Sequence, residues 1–382
     1  MSAGRDEVRP TPAPVRRPHL RLARLLGLIP SVGVLLFMLG YMTEDDMYQS
    51  ASGEKELPKW RVLARAREQY GPYTKWKEGL VKELRAGSRV AETSKGSIEY
   101  AIDGDAGPCL IVMHGEPGGY DQTAALFADM FGKGFRVVSW SRPGYVRTPL
   151  AVARTYEEQA DAAAALLDAL NIDRVAVLGF SAGGPPAVSF ASRHPERTWA
   201  LILECAVTMR YEFNADDLMD KLYYGYLMYD DPFLWAADVV GTHAPRMIGK
   251  STIEMESSLD KQETEKLMDH IMHDPNRVNV LTGLMKSMSP SGLREAGVKN
   301  DIDQLRQVKD LPLKDIETPT LVIHGTNDAD VPVENARHAA DTMPHAQLCL
   351  VPGGFHIMAL TDTIDGITQI RVKFLQEHAP RE

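Results

Sequence analysis

The sequence is poor in cysteine, with three in 382 residues: Cys109, Cys205 and Cys349. Each lies in an apolar run ("CLIVMHG", "LILECAV", "AQLCLVPG"), which reads as three buried core thiols and excludes a disulfide framework. No Cys or His spacing matches a zinc site. Positive charge is also in short supply. Lys and Arg number 42 against 52 Asp and Glu, a net charge of −10. A phosphate-binding surface needs a basic stripe, so nucleic acid is excluded as a partner. There is no internal repeat. What is present is ordinary for a globular chain: 44% hydrophobic and 25% charged residues. The length suits one large domain with an insertion, or two domains.

Long hydrophobic runs are scarce too, and the exception is at the amino terminus. Residues 1–24 interleave Arg5, Arg9, Arg16, Arg17, Arg21 and Arg24 with Pro10, Pro12, Pro14 and Pro18, a composition that predicts a basic disordered tail. Leu25 to Met42 then runs 18 residues without a charge, and "TEDD" follows at once. This is near the length of a membrane-crossing helix. Arginines before it and acids after it place the amino terminus in the cytoplasm and the rest outside. The expectation is a retained single-helix anchor at 25–42. A cleaved signal, leaving a secreted or periplasmic protein, is the alternative, although "FMLGYMTEDD" has no A-x-A cut site. "RRPHLR" is a weak match to a twin-arginine signal, with His19 where a bulky apolar residue is expected. A buried soluble helix fits the basic flank poorly.

Residues 43–85 read as a polar spacer with some helix, broken at Gly71-Pro72. From Arg89 the pattern changes. "SRVAETSKGSIEYAIDGDAG" predicts a hairpin with turns at Lys95-Gly96 and Gly104-Asp105. The short apolar runs "CLIVMHG", "FRVVSW", "RVAVLGF", "ALILECAV", "TLVIHG" and "QLCLVPG" follow. Helical patterns separate most of them. Such alternation predicts an α/β fold with a mostly parallel central sheet covered by helices on both faces. Sites in such sheets lie beyond the carboxyl ends of the strands. The expected core spans 86–206 and 311–382. Between them, 207–310 shows only aromatic and Met-rich helical segments, the size of a small helical subdomain.

Chemistry-bearing residues stand directly after these runs. Gly179-Phe180-Ser181-Ala182-Gly183 follows a strand and precedes a helix, the setting of a nucleophile elbow. Small neighbours let strand and helix pass closely, and Pro185 and Pro186 fit the first helical turn. A plain Gly/Ser turn would also give this pentapeptide. Serine needs a base held by an acid, and for this elbow the chain order is Ser, acid, His. Asp328 and Asp330 follow "TLVIHG", and His356 follows "QLCLVPG". Three matches in order outweigh a turn-forming Asp and a loop His. Oxyanion donors are expected from the N–H groups of Ala182 and of Glu116, in the loop His114-Gly115-Glu116-Pro117-Gly118-Gly119. His114, Gly115, Gly179 and Gly183 are expected to support these loops. His324 reads as structural. His270 and His273, at i and i+3, lack a third ligand and read as solvated or packed.

Together these segments resemble the serine hydrolases of the α/β-hydrolase fold superfamily, over about Ala86 to the end. The parallels are His114 to Gly118, the elbow Gly179 to Gly183, Gly325 to Pro332, and His356 after the last strand. The resemblance implies Asp328 as the acid in preference to Asp330. It also implies a helical cap over the site and an acyl-enzyme mechanism on a small-molecule substrate with no metal or organic cofactor. A carboxylic ester is the leading substrate. The "HGEPGG" loop resembles the corresponding loop of proline iminopeptidases, so an aminopeptidase is an alternative, as are a carbon–carbon bond hydrolase and a non-catalytic binding protein on the same fold. Two departures stand out. Ser141-Arg142-Pro143-Gly144-Tyr145-Val146-Arg147-Thr148 lacks the acid and second glycine common in such proteins. Glu116 puts a carboxyl group beside the oxyanion site, where it opposes developing negative charge unless paired or turned away.

Overall fold

A computed structural model describes residues 59–211, 234–235, 245–308 and 310–381. The apolar runs become strands because a buried strand needs apolar side chains on both faces. Each Val, Leu or Ile so buried contributes roughly 1.5–3 kcal/mol. The strands are β1 (Arg89–Thr93), β2 (Gly96–Asp103), β3 (Cys109–Met113), β4 (Arg136–Trp140), β5 (Val175–Phe180), β6 (Thr198–Glu204), β7 (Thr320–Gly325) and β8 (Ala346–Val351). They form one eight-stranded sheet in the order β1-β2-β4-β3-β5-β6-β7-β8. The β1–β2 and β2–β4 pairs are antiparallel and the others parallel. The predicted hairpin is β1–β2, and its turn residue Gly96 has φ +121°.

Helices cover both faces. On one side α3 (Tyr156–Ala169), α4 (Gly184–Arg193) and α9 (Glu334–Thr342) pack Leu166, Leu167, Val188, Phe190, Ala336 and Ala339 on Ile111, Val177, Leu201 and Leu203. On the other, Phe127 after α2 (Tyr120–Leu126), and Ile367, Phe374 and Leu375 of α10 (Ile364–His378), pack on Leu110, Val112, Leu178 and Ile202. Sequence signals set these helix starts. Thr155 and Glu158 close a capping box on α3.

Between β6 and β7 the described residues form helices and no strand: α5 (Pro245–Glu256), α6 (Lys261–His273), α7 (Pro275–Lys286) and α8 (Glu295–Gln307). Asp260 closes a capping box on α6, and Asp274 caps α7 with Pro275 in its first turn. Much of the aromatic segment expected in the insertion lies outside the described residues.

Two expectations change. The helix α1 (Lys59–Ala86) runs straight through Gly71-Pro72. Proline forfeits one helical bond and crowds one carbonyl, and here the continuous turns on either side carry the helix across. The end of α1 docks on the core, with Leu80 and Leu84 buried and the Tyr120 hydroxyl donating to the Leu84 carbonyl at 2.7 Å. Cys109 and Cys205 are buried, but Cys349 is only partly so, because β8 is the edge strand. Among the described residues no helix is long and apolar enough to cross a membrane. The anchor expected at 25–42 lies outside them.

Register sets the geometry of the site. Met113 pairs with Gly179, Glu204 with Ile323, and Gly325 with Val351. The loops that follow β3, β5, β7 and β8 therefore leave the sheet along one rim.

Candidate active site

Ser181 stands where β5 ends and α4 is about to begin. Its backbone is left-handed, φ +52°, an arrangement that costs a non-glycine residue about 1–3 kcal/mol. Its neighbours explain how the turn closes. A Cβ at Gly183 would lie 2.0 Å from the Met113 carbonyl oxygen, and one at Gly179 would lie 2.6 Å from the Ala187 Cβ. A Cβ at Gly115 would sit 2.9 Å from the Ser181 Cβ. The loop after β3 thus runs against the elbow at Gly115, one residue before Glu116.

Asp328 and His356 are brought together. His356 Nδ1 and Asp328 Oδ2 are 3.0 Å apart, and both side chains are buried. The other carboxylate oxygen, Oδ1, accepts from the N–H groups of Asp330 (3.0 Å) and Val331 (2.9 Å). His324 Nε2 lies 2.9 Å from the Val331 carbonyl oxygen and 3.2 Å from Asp328 Oδ2. Both are acceptors, so Nε2 carries the proton. Burial alone would raise the Asp328 pKa. The His356 charge and the His324 hydrogen bond outweigh it and hold the carboxyl at about 2. Burial pulls the His356 pKa down, but Asp328, then Asp330 and Glu256, raise it to about 10.

Ser181 is close to this pair but not joined to it. Among the described residues its hydroxyl makes no hydrogen bond to the ring. The Phe180 ring lies 5.1 Å from that of His356. His356 Nε2 faces Asp330 Oδ2 at 3.5 Å instead, and the Tyr211 hydroxyl donates to Asp330 Oδ1 at 3.0 Å. Serine–histidine bonds are often long before substrate arrives.

The loop after β3 is held from several sides. The Gly115 N–H donates to Gln122 Oε1, and Gln122 Nε2 donates to the Pro117 carbonyl, both at 2.7 Å. His114 Nε2 accepts from the Arg142 N–H at 2.9 Å, so Nδ1 carries the proton and donates to the Gly115 carbonyl at 2.7 Å. Burial, then the Arg142 charge, push the His114 pKa well below its usual value, and the ring is neutral. Glu116 Oε1 is shut off from solvent and has no hydrogen-bond partner among the described residues. Burial, then the Asp301 charge, raise the Glu116 pKa well above the carboxylate range.

Several residues here escaped the sequence reading. Arg142 donates from Nε to the His114 carbonyl at 3.0 Å, and its guanidinium pairs with Asp301 of α8. Arg294, before α8, donates to the Gly118 carbonyl and pairs with Asp121 at 2.8 Å. The Glu256 carbonyl accepts from the N–H groups of both Ala329 (3.2 Å) and His356 (3.4 Å). The loop after β4 meets a carboxylate from β2, Glu99, which accepts from Ser141 at 2.8 Å and Arg147 at 2.6 Å. None of these partners has a local motif. Only an isolated charge in an apolar setting hints at Glu99.

Two groups of donor atoms are compact enough to consider as metal sites: Cys205, His324 and Asp328, and Glu256, Asp330 and His356, each within 4.8 Å. In both, the imidazoles are already engaged with carboxylates or a carbonyl, and hydrogen bonding accounts for the clustering. His270 and His273 belong to neither group; His270 faces Asp362 at 3.3 Å.

The sheet order, the elbow and the loop positions define a hydrolase-type α/β architecture. Residues 108–363 match the family model described as alpha/beta hydrolase fold, and the chain belongs to that family. An alpha/beta hydrolase fold protein from Nakamurella multipartita is 33% identical, with a TM-score of 0.71 over 76% of this chain and 99% of that one. A Bacillus subtilis (strain 168) protein named as a hydrolase, YcgS, is 28% identical over 285 residues, 74% of this chain and 95% of its own. A 2-hydroxy-6-oxononadienedioate/2-hydroxy-6-oxononatrienedioate hydrolase from Pseudomonas putida is 24% identical over 277 residues, 68% of this chain and 87% of its own.

Proposed function

We propose that the chain is a serine-dependent hydrolase of carboxylic esters. The observation that carries this reading is the 3.0 Å contact of His356 with Asp328 on the rim where the elbow presents Ser181. Substrate binding brings the Ser181 hydroxyl to His356 Nε2. Ser181 attacks the carbonyl carbon as Nε2 takes its proton. The N–H groups of Glu116 and Ala182 hold the oxyanion, and Asp328 stabilises the imidazolium. The alcohol leaves with the proton from Nε2. Water then attacks the acyl group by the same path and frees Ser181. Helices α5 to α8 serve as the cap. Family membership supports hydrolysis.

A carbon–carbon bond hydrolase is the second reading, supported by the activity in the name of the Pseudomonas putida relative. An aminopeptidase is the third reading, supported by the resemblance of the loop at Glu116 to that of proline iminopeptidases. A panel of 4-nitrophenyl esters, proline arylamides and a vinylogous diketone decides among the three. Ester turnover should exceed the others and fall at least about a thousandfold in Ser181→Ala. Unchanged turnover in that variant would remove the proposal. No turnover by any member, with ligand binding intact, would favour a binding protein. The run Leu25 to Met42 is read as an anchor that holds the hydrolase domain on the extracytoplasmic side.

A further inference from the structure

The atom that must receive the Ser181 proton is occupied. His356 Nε2 faces Asp330 Oδ2 at 3.5 Å while Nδ1 faces Asp328 at 3.0 Å. The ring is therefore held at both ends by carboxylates. Asp330 is fixed in turn by the Tyr211 hydroxyl at 3.0 Å, and it is about one-third exposed, so it borders the open side of the site. Glu116 stands on the loop after β3. Its Oε1 is sealed from solvent without a donor, and its carboxyl feels Asp330 as well as Asp301. A buried acceptor left unsatisfied costs about 1–3 kcal/mol, which a ligand's donor would recover.

We propose that Asp330 latches His356 away from Ser181 in the free protein, and that the latch is released by substrates carrying an ammonium group beside the scissile carbonyl, held between Asp330 and Glu116. This rests on the serine-hydrolase reading and names its substrate class. The charges facing His356 come from every element around it. Asp328 and Asp330 lie on the loop after β7, and Glu256 lies at the end of α5. His324 acts through Asp328. With carboxylates at both ring nitrogens the imidazolium predominates in the free protein, and only the unlatched minority of molecules can act as a base. An ammonium group draws Asp330 off Nε2. The ring then loses its Nε2 proton to solvent and turns to Ser181. Burial favours the protonated form of the Glu116 carboxyl, and the ammonium favours its carboxylate, so any proton there passes to solvent as the two pair.

The test compares two esters of matched acyl size, glycine 4-nitrophenyl ester and 4-nitrophenyl propionate, on the full chain. The ratio of their kcat/KM values in wild type is divided by the ratio in each variant, which cancels intrinsic reactivity. Asp330→Asn should lower the preference for the glycine ester at least about tenfold while raising propionate turnover. Glu116→Gln should lower the preference without that rise. The His356 ring, followed by NMR, should titrate at least about one pH unit lower in Asp330→Asn. Preference and ring titration unchanged in Asp330→Asn would overturn the proposal. If propionate turnover still needs Ser181, the hydrolase reading survives that result. If neither ester is turned over, both fall.

Discussion

At the scale of single residues, the site depends on atoms that are absent as much as on those present. Gly183 is the clearest case: an added methyl would overlap the Met113 carbonyl, a backbone group that cannot turn away. Gly183→Ala should destabilise the protein by about 2–4 kcal/mol in urea unfolding. Charge works at this scale too. The His356 pKa is raised from 6.5 to about 10, so the imidazolium stabilises the folded state fully below 6.5, and that contribution is lost as pH rises through about 10. The stability difference between wild type and His356→Gln should therefore shrink across this window in unfolding titrations. A constant difference would mean that the ring is not held as a cation. The family resemblance implied Asp328 in preference to Asp330, and Asp328 is the carboxylate that meets His356 Nδ1. That Asp330 would meet the opposite nitrogen was not legible in the sequence, because it depends on how two loops face each other.

At the scale of elements, the inserted helices do more than cover the rim. The end of α5 reaches the loops of Asp328 and His356 through the Glu256 carbonyl, and Ser257 bridges to Asp328. Arg294 reaches the Gly118 carbonyl, and Asp301 reaches Arg142. The loops after β3, β4, β7 and β8 are thus fastened to the insertion, by groups that are mostly buried. Breaking a buried pair leaves a charge without its partner, a cost of about 3–5 kcal/mol when burial is complete. Asp121 is about one-fifth exposed, so Arg294→Met should cost less, about 2–3 kcal/mol. It should also lower kcat more than it raises KM, since the loop it releases carries Glu116. Loss of stability with kcat unchanged would separate Arg294 from the site. The strands, and the helical character of most segments between them, could be read from local pattern. The fastenings could not, because their partners stand up to 176 positions apart.

At the scale of the whole molecule, alternating apolar runs were enough to predict a mostly parallel sheet with its chemistry on one rim. The register that places Met113 beside Gly179 and Gly325 beside Val351 explains why the rim is shared. Proline 72 misled, since a local breaker was overruled by the helix on either side of it. The membrane reading belongs to this scale. Deleting residues 1–42 should move the protein from the membrane pellet to the soluble fraction with ester turnover retained, and an unchanged pellet would refute the anchor. The central claim, that Ser181 is a nucleophile activated by His356, is tested most directly by exposing the full chain to a fluorophosphonate and mapping the adduct by mass spectrometry. The account predicts one adduct, on Ser181, formed at least about a hundredfold more slowly in His356→Ala. An unlabelled wild-type Ser181, or labelling that ignores the loss of His356, would contradict it.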